Sequence, residues 1–188
     1  ASKPDLIIAV GGTPVAIAAT RATSTIPIIF TIGFDPVALK LVASLSRPGG
    51  NATGAMLLAS ALEGKRLDLL KAMRPDIRSV ALLVNPTSPM LNDLEGDAQR
   101  VASALGVSLE IVKATSRTEL DGALARLAAR KPGGLAVTID GFLVSERRRI
   151  VEWAERERVP AIFPAREFTE AGGLASYAPR WAEMYRWI

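Results

Sequence analysis

Four short polar groups carry the side chains of this sequence that could bind a ligand. Each group follows an apolar stretch with the composition of a buried strand. The groups are Gly12-Thr13-Pro14, Phe34-Asp35-Pro36, Val84-Asn85-Pro86 and Ile139-Asp140-Gly141. Ligands of open α/β sheets bind beyond the carboxyl ends of the strands, so the groups that follow strands are candidates for one pocket.

The chemistry that these groups could provide is the recognition of a small polar molecule. A proline after the polar residue fixes the turn into a helix, whose first free N–H groups favour an anion such as a carboxylate. Asp35 and Asp140 can accept hydrogen bonds from an amine or a hydroxyl group. Because Thr, Asn and Asp also cap helices, capping is the alternative interpretation for the polar residues of these groups.

Residues typical of catalysis and metal binding are missing. The sequence contains no cysteine and no histidine, which excludes thiol nucleophiles, Ser-His-Asp triads and the commonest zinc ligands. Glu63-Gly64-Lys65-Arg66 lacks the upstream glycine and the following Ser or Thr of a phosphate-binding loop. We therefore predict no catalytic residue, no metal and no cofactor.

The formal charge of +4 raises the question of nucleic-acid binding. The basic residues are scattered, and their densest run, Arg147-Arg148-Arg149, lies beside Glu146 and Glu152. Aromatic residues are few and are not interleaved with the basic ones, so the sequence predicts no stacking surface for bases. A solvated helix face is the better interpretation, and nucleic acid is not predicted as a partner.

Strands and helices alternate along the chain, which is typical of an α/β fold. Apolar, β-branched runs predict strands at 5–10, 26–32, 79–84, 108–113, 134–140, 160–163 and 174–177. Helical spacing and capping signals predict helices at 15–23, 62–73, 90–105, 116–131, 144–158 and 166–171. The short connections between them predict parallel sheets flanked by helices, with right-handed crossovers.

The stretch from residue 30 to residue 54, FTIGFDPVALKLVASLSRPGGNATG, separates the two halves of this pattern. An apolar strand ends at Gly33, a short amphipathic segment covers 37–45, and Pro48-Gly49-Gly50 enforces a turn. We interpret the stretch as a crossing between two lobes. A cleft between lobes is a common place for small molecules to bind.

The same stretch resembles a family signature. Residues 34–54 are similar to the pattern D-P-V-x-x-G-L-V-x-S-L-x-x-P-G-G-N-x-T-G of the substrate-binding proteins of ABC transporters. The relevant branch is often described as sugar-binding, and its better-understood members bind aromatic amino acids. Downstream strings agree in order, among them VALLVNPTSP and VPAIFPAREFTEAGGLASYAP. The chain departs from the family pattern at Lys40, where glycine is usual, and at Ala178 and Arg180.

The resemblance implies a two-lobed fold like that of type I periplasmic binding proteins, with the ligand enclosed between the lobes. Residues 1–54 would form the remaining part of an incomplete N-terminal lobe, and residues 55–177 the C-terminal lobe. Residues 178–188 would begin a segment that returns to the first lobe.

The resemblance also implies a set of ligand-binding residues, formed by the polar residue of each strand-end group: Thr13, Asp35, Asn85 and Asp140. Ser88 and Phe168 are weaker candidates, and a role in the hydrophobic core is the alternative for Phe168. The carboxylate of the ligand would meet the helix starts near Thr13 and Asn85. Its amine would meet Asp35 or Asp140.

The function that the resemblance implies is that of an extracytoplasmic solute-binding component of an ABC importer, without catalysis. Its ligand would be a small polar molecule, with an amino acid as the leading candidate, and its partner an ABC permease in the membrane. The same resemblance implies a periplasmic or other extracytoplasmic location. A ligand-sensing regulatory domain of the same fold class is the alternative. An incomplete lobe would leave open sheet edges, which allow pairing with another chain.

Overall fold

The structure, a computed structural model, describes residues 4–56, 62–88 and 91–179, apart from the side chain of Asp93. The chain divides into two compact units: the second unit comprises Ser60–Ala178, and the first is built on the residues that precede it. Each unit contains its own parallel sheet, so the predicted α/β class with parallel sheets is confirmed. The predicted returning segment, 178–188, lies from residue 180 onward outside the described residues.

The first unit contains a three-stranded parallel sheet in the order β1-β2-β3. Its elements are β1 (Ile7–Ala9), α1 (Thr13–Ala22), β2 (Ile28–Ile32) and β3 (Ala52–Met56). Apolar side chains of the sheet, of α1 and of the following turns form its core: Ala9, Ala16, Ile28, Phe30, Ile32, Val42 and Ala52. The core therefore lies on the α1 side of the sheet.

Two residues of the signature stretch have structural roles in this unit. Nδ2 of Asn51 donates to the carbonyl oxygens of Ile26 (2.7 Å) and Thr23 (3.2 Å), which ties the start of β3 to the start of β2. A Cβ on Gly54 would overlap the backbone of Phe30 in the neighbouring strand. The N-x-T-G end of the signature thus keeps β2 and β3 close together.

The departure at Lys40 has a conformational consequence. Lys40 lies in the turns between β2 and β3 with a φ of 56°, in the left-handed region. That region costs an L residue about 1–2 kcal/mol, and the extra entropy of glycine in the unfolded chain offsets part of this. We therefore expect Lys40→Gly to raise the free energy of unfolding by about 0.5–1 kcal/mol, measured by urea denaturation. Lys40→Ala keeps the strained conformation, so an equal gain in that control would contradict the explanation.

The second unit contains a five-stranded, all-parallel sheet. Its strands are β4 (Ser79–Val84), β5 (Ser108–Lys113), β6 (Gly134–Val137), β7 (Ala161–Phe163) and β8 (Ala175–Ser176). They lie in the order β5-β4-β6-β7-β8. Counted in chain order within the unit, this is the doubly wound order 2-1-3-4-5. The chain runs from β4 to β5 on one side and then to β6 on the other, so the switch point lies between β4 and β6.

Helices cover both faces of this sheet. They are α2 (Leu62–Met73), α3 (Leu91–Ala104), α4 (Arg117–Arg130), α5 (Gly141–Ser145), α6 (Arg147–Arg156) and α7 (Arg166–Glu170). Leu82 of β4 packs with α2 and α3, whereas Leu83 packs with α4 and α6 on the opposite face. Because both faces are buried, β4 is a continuous apolar run rather than an alternating one.

The predicted single helix at 144–158 is wrong. Two helices cover this region: α5 begins earlier, at Gly141, and α6 begins after Glu146. The carboxylate of Asp140 caps α5 by accepting the N–H of Leu143. Glu146, with φ −92° and ψ 12°, interrupts the helical geometry between α5 and α6.

Ser116-Arg117-Thr118-Glu119 has the sequence of a capping box, in which Ser116 would accept the N–H of Glu119 and Glu119 would accept the N–H of Ser116. The structure confirms this prediction with a small change. Oγ of Ser116 accepts the N–H of Glu119 (3.3 Å), as the sequence predicts. The Glu119 carboxylate accepts the N–H of Thr115 (2.8 Å), one residue before the predicted partner, and this bond lowers the pKa of Glu119.

Within the described residues, no helix has the length and apolarity that crossing a lipid bilayer requires.

Candidate ligand-binding site

Two of the predicted site residues meet at the carboxyl edge of the second sheet. Asn85 directly follows β4, and Asp140 lies three residues after β6. Nδ2 of Asn85 donates to Oδ2 of Asp140 over 3.1 Å, although 55 positions separate the two residues. They meet because β4 and β6 are neighbours. The pair lies beside the switch point, where sheets of this kind bind their ligands.

The orientation of the Asn85 amide is fixed by its own turn. Its Oδ1 accepts both the N–H of Thr87 (3.0 Å) and the Thr87 hydroxyl (2.8 Å). With both lone pairs of the oxygen in use, the NH2 group is the part of the amide that faces Asp140. Asn85 is 8% exposed, so its side chain is buried and held in one orientation beside the carboxylate of Asp140.

Asp140 can cap a helix and bind a ligand at the same time. One carboxylate oxygen accepts the N–H of Leu143 (3.1 Å) and the other accepts Asn85. A carboxylate has about four acceptor positions, so capacity for an amine remains. The capping and binding interpretations of Asp140 are therefore compatible.

Ser88 lies in the turn that follows Asn85. Its N–H donates to the carbonyl of Asn85 (3.1 Å), and its own carbonyl accepts the N–H of Leu91 (3.2 Å) at the start of α3. Ser88 is half-buried. The structure thus brings together Asn85 and Asp140 and holds Ser88 beside them through the backbone.

Phe168 occupies the hydrophobic core. Its side chain is fully buried and stacks on Phe163, with ring centroids 4.8 Å apart and an interplanar angle of 10°. This is the core role that the sequence analysis gave as the alternative. We leave Phe168 out of the proposed site for that reason.

Thr13 lies at an uncapped helix start in the first unit. It is the first residue of α1 and is 4% exposed, and its Oγ1 makes no hydrogen bond to a described residue. Gly12 occupies the N-cap position with a φ of 97°, which glycine tolerates, and provides no side chain to cap α1. An uncapped helix start with a buried hydroxyl suits an anion.

Asp35 caps the backbone that follows it, which is the alternative interpretation given for the polar residues of the strand ends. Its Oδ1 accepts the N–H groups of Val37 (2.8 Å) and Ala38 (3.4 Å), which stabilises the turn after β2. The residue is exposed. Its role in ligand binding stays a prediction.

A buried ion pair that was not predicted from the sequence lies near the same edge of the second sheet. Glu63 and Arg66 of α2 are 1% and 0% exposed, and Nη1 of Arg66 lies 2.6 Å from Oε1 of Glu63. The signal was their spacing, because they share a helix face with the buried Leu67 and Leu70.

Burial changes the ionisation of this pair. Loss of hydration raises the pKa of the Glu63 carboxyl, while the Arg66 guanidinium and the nearby N–H of Ile139 act in the opposite direction. The negative charge of Asp97 adds to the increase in the pKa of Glu63.

In the described parts of the chain, no group of three or more Asp, Glu, His or Cys side chains could hold a metal ion.

Comparison with known proteins identifies the family. The model of the ABC transporter substrate binding protein family matches residues 1–184. The chain belongs to this family. Its members are substrate-binding proteins, and the resemblance carried by residues 34–54 is confirmed.

The relatives of this chain are longer than the chain itself. The tyrosine-binding protein of Clostridioides difficile strain R20291 is 32% identical over 175 residues, which are 92% of this chain and 49% of the relative. The chain thus spans about half the length of that relative.

Two solved structures have the same fold. An ABC domain from Streptococcus pneumoniae in complex with L-Trp gives a TM-score of 0.84 at 24% identity, covering 98% of this chain and 62% of that one. A conserved domain protein from Vibrio cholerae gives a TM-score of 0.83 at 27% identity, covering 97% and 60%. The predicted type I periplasmic-binding-protein-like fold is confirmed.

Proposed function

We propose that this family member is the extracytoplasmic solute-binding component of an ABC importer and that it captures an amino acid. The observation that carries the proposal is the Asn85–Asp140 pair at the switch point of the second sheet. A fixed amide beside a carboxylate with unused acceptor positions is suited to a ligand that carries an ammonium group.

The ligand's carboxylate is assigned to the start of α1. Free N–H groups and the positive end of the helix dipole favour an anion there, and among the described residues no side chain caps this helix start by a hydrogen bond. The buried hydroxyl of Thr13 can donate a hydrogen bond to the same carboxylate. The prediction that both lobes close on one ligand stays a prediction.

Aromatic amino acids are the first ligands to test. One relative is named a tyrosine-binding protein, and one structural neighbour is a complex with L-Trp.

The partner of the ligand-bound protein would be an ABC permease, and the protein would act outside the cytoplasm. Pairing through an open sheet edge also stays a prediction. Among the strands that the structure describes, β1 lies at an edge of its sheet, and Ile8 is exposed on it.

A thermal-shift screen of the full chain encoded by the gene tests this function. The screen compares aromatic and aliphatic amino acids, small carboxylates and sugars. A ligand present at a hundred times its Kd stabilises the folded state by about 2.7 kcal/mol. We expect a shift with amino acids and none with sugars. A shift with sugars alone, or with none of these compounds, would contradict the proposal.

A further inference from the structure

The start of α1 in the first unit has fewer free backbone donors than an ordinary helix start. The first four N–H groups of an α-helix have no acceptor within the helix. Here Pro14 has no N–H, and the N–H of Val15 donates to the carbonyl of Gly12 (3.1 Å). The N–H groups of Gly12 and Thr13 remain, and neither donates to a described residue.

The side chain of Thr13 adds a third donor. Thr13 is 4% exposed, and its Oγ1 makes no hydrogen bond to a described residue. The Cα–Cβ bond of a helical residue is tilted toward the amino end of the helix, so this hydroxyl lies at the start of α1. A buried hydroxyl without a partner costs free energy, and a ligand that accepts its hydrogen bond removes that cost.

The space beside these donors is open, and the local chain carries no positive charge. Among the described residues, a Cβ built on Gly12 would approach only Cδ of Pro14, at 3.9 Å, so a ligand group has room there. Residues 4–20 contain no Lys and no Arg. Asp35 follows β2, the strand beside β1, and places a carboxylate at the same edge of the first sheet.

This set of donors matches a carboxylate better than a larger oxyanion. The partial positive charge of a helix start balances much of the single charge of a carboxylate. A phosphate or phosphonate carries up to about two charges on three oxygens. Phosphate-binding loops supply several N–H groups together with a Lys side chain. Three donors without a cation leave the second charge unbalanced, and the negative charge of Asp35 opposes it.

We propose that Thr13 and Pro14 are specificity residues that restrict the start of α1 to a carboxylate: Thr13 supplies the third donor, and Pro14 withholds a further N–H. This inference rests on the proposed function, which assigns the ligand's carboxylate to this helix start. The ligands are then carboxylic acids. A phosphonate in the same place is rejected by its charge, and an amide is rejected because its NH2 group meets donors.

The first experiment compares three ligands of the full chain encoded by the gene by calorimetry: L-tyrosine, L-tyrosinamide, and the analogue of tyrosine in which a phosphonate replaces the carboxylate. We expect each replacement to weaken binding at least about tenfold, because charge-assisted hydrogen bonds are lost or the second charge is unbalanced. A phosphonate that binds as tightly as L-tyrosine would overturn this inference alone. If none of the three compounds binds, the proposed function fails and the inference fails with it.

Thr13→Val removes the hydroxyl and keeps the shape of the side chain. We expect the Kd for L-tyrosine to rise about tenfold. The urea midpoint without ligand should stay the same or rise, because the buried hydroxyl without a partner is gone. Thr13→Ser keeps the hydroxyl and should keep the affinity. The matched control is Thr20→Val: the Thr20 hydroxyl donates to the carbonyl of Ala16 (3.0 Å) on the same helix, and its loss should leave the Kd unchanged.

A lower urea midpoint in Thr13→Val with an unchanged Kd would show that the hydroxyl is purely structural, and it would overturn the role of Thr13. Pro14→Ala tests the second residue, because it restores one backbone N–H at the helix start. We expect it to strengthen the binding of the phosphonate about fivefold and that of L-tyrosine by less, so the preference for the carboxylate decreases. An unchanged ratio of the two Kd values would overturn the role of Pro14.

Discussion

Asp140→Asn is expected to weaken the binding of an amino acid by about 2–5 kcal/mol, because it removes the negative charge that faces the ligand's ammonium group. Asparagine has nearly the same shape as aspartate. Its oxygen can still accept the N–H of Leu143, so the cap of α5 should persist, while its NH2 group replaces the oxygen that accepts Nδ2 of Asn85. Isothermal titration calorimetry measures the change in affinity, and a thermal melt without ligand shows whether the fold is retained.

The matched control for this change is Asp76→Asn. Asp76 is an exposed carboxylate near the amino end of β4, at the opposite edge of the sheet from Asn85, and it pairs with Arg74 over 3.0 Å. Its replacement should leave the affinity unchanged. An unchanged affinity in Asp140→Asn as well would remove Asp140 from the site.

Arg66→Met alone is expected to lower the free energy of unfolding by about 3–5 kcal/mol. The substitution leaves the carboxyl of Glu63 buried without its partner, and it removes the hydrogen bond to the carbonyl of Tyr177. Urea denaturation measures the loss. The double variant Glu63→Leu/Arg66→Met should recover it. A single variant as stable as the parent protein would contradict the burial of this pair.

The decrease in the free energy of unfolding that Arg66→Met causes should depend on pH. Burial already raises the pKa of Glu63, and removal of the opposing guanidinium raises it further. The folded state then binds a proton that the unfolded state releases above a pKa of about 4.3. A pKa that is raised in the folded state favours folding at low pH. The difference in the free energy of unfolding between the parent protein and Arg66→Met should therefore become smaller as the pH falls toward about 4.3. A deficit that is constant with pH would show that Glu63 does not titrate.

Local signals in the sequence located most elements and the polar ends of the strands. The proline and glycine groups after Thr13, Asn85 and Asp140 mark strand exits because their backbone preferences are short-range. The contact between Asn85 and Asp140 could not be predicted from local signals, because it depends on β4 and β6 being neighbours. The order of strands in a sheet is a long-range property, and the alternation of strands and helices along the sequence does not determine it.

Burial of charge was not predicted, although the spacing of Glu63 and Arg66 places them on one helix face with Leu67 and Leu70. Glu63 and Arg66 look like ordinary surface residues of a helix, because charged side chains are rarely buried unless paired. The break at Glu146 was missed for a related reason, since the residues around it are compatible with one continuous helix. Phe168 could be assigned either to a pocket wall or to the core, and only packing against Phe163 decides between them.

The most direct test of the central claim compares three ligands by calorimetry: L-tyrosine, its deaminated analogue 3-(4-hydroxyphenyl)propionate, and tyramine, which lacks the carboxylate. We expect loss of the amine to weaken binding to the parent protein at least about thirtyfold, the equivalent of 2 kcal/mol. In Asp140→Asn the same loss should cost little, because the charge that the amine meets is absent. Equal affinity of the parent protein for L-tyrosine and its deaminated analogue would contradict the assignment of Asp140 to the ligand's amine.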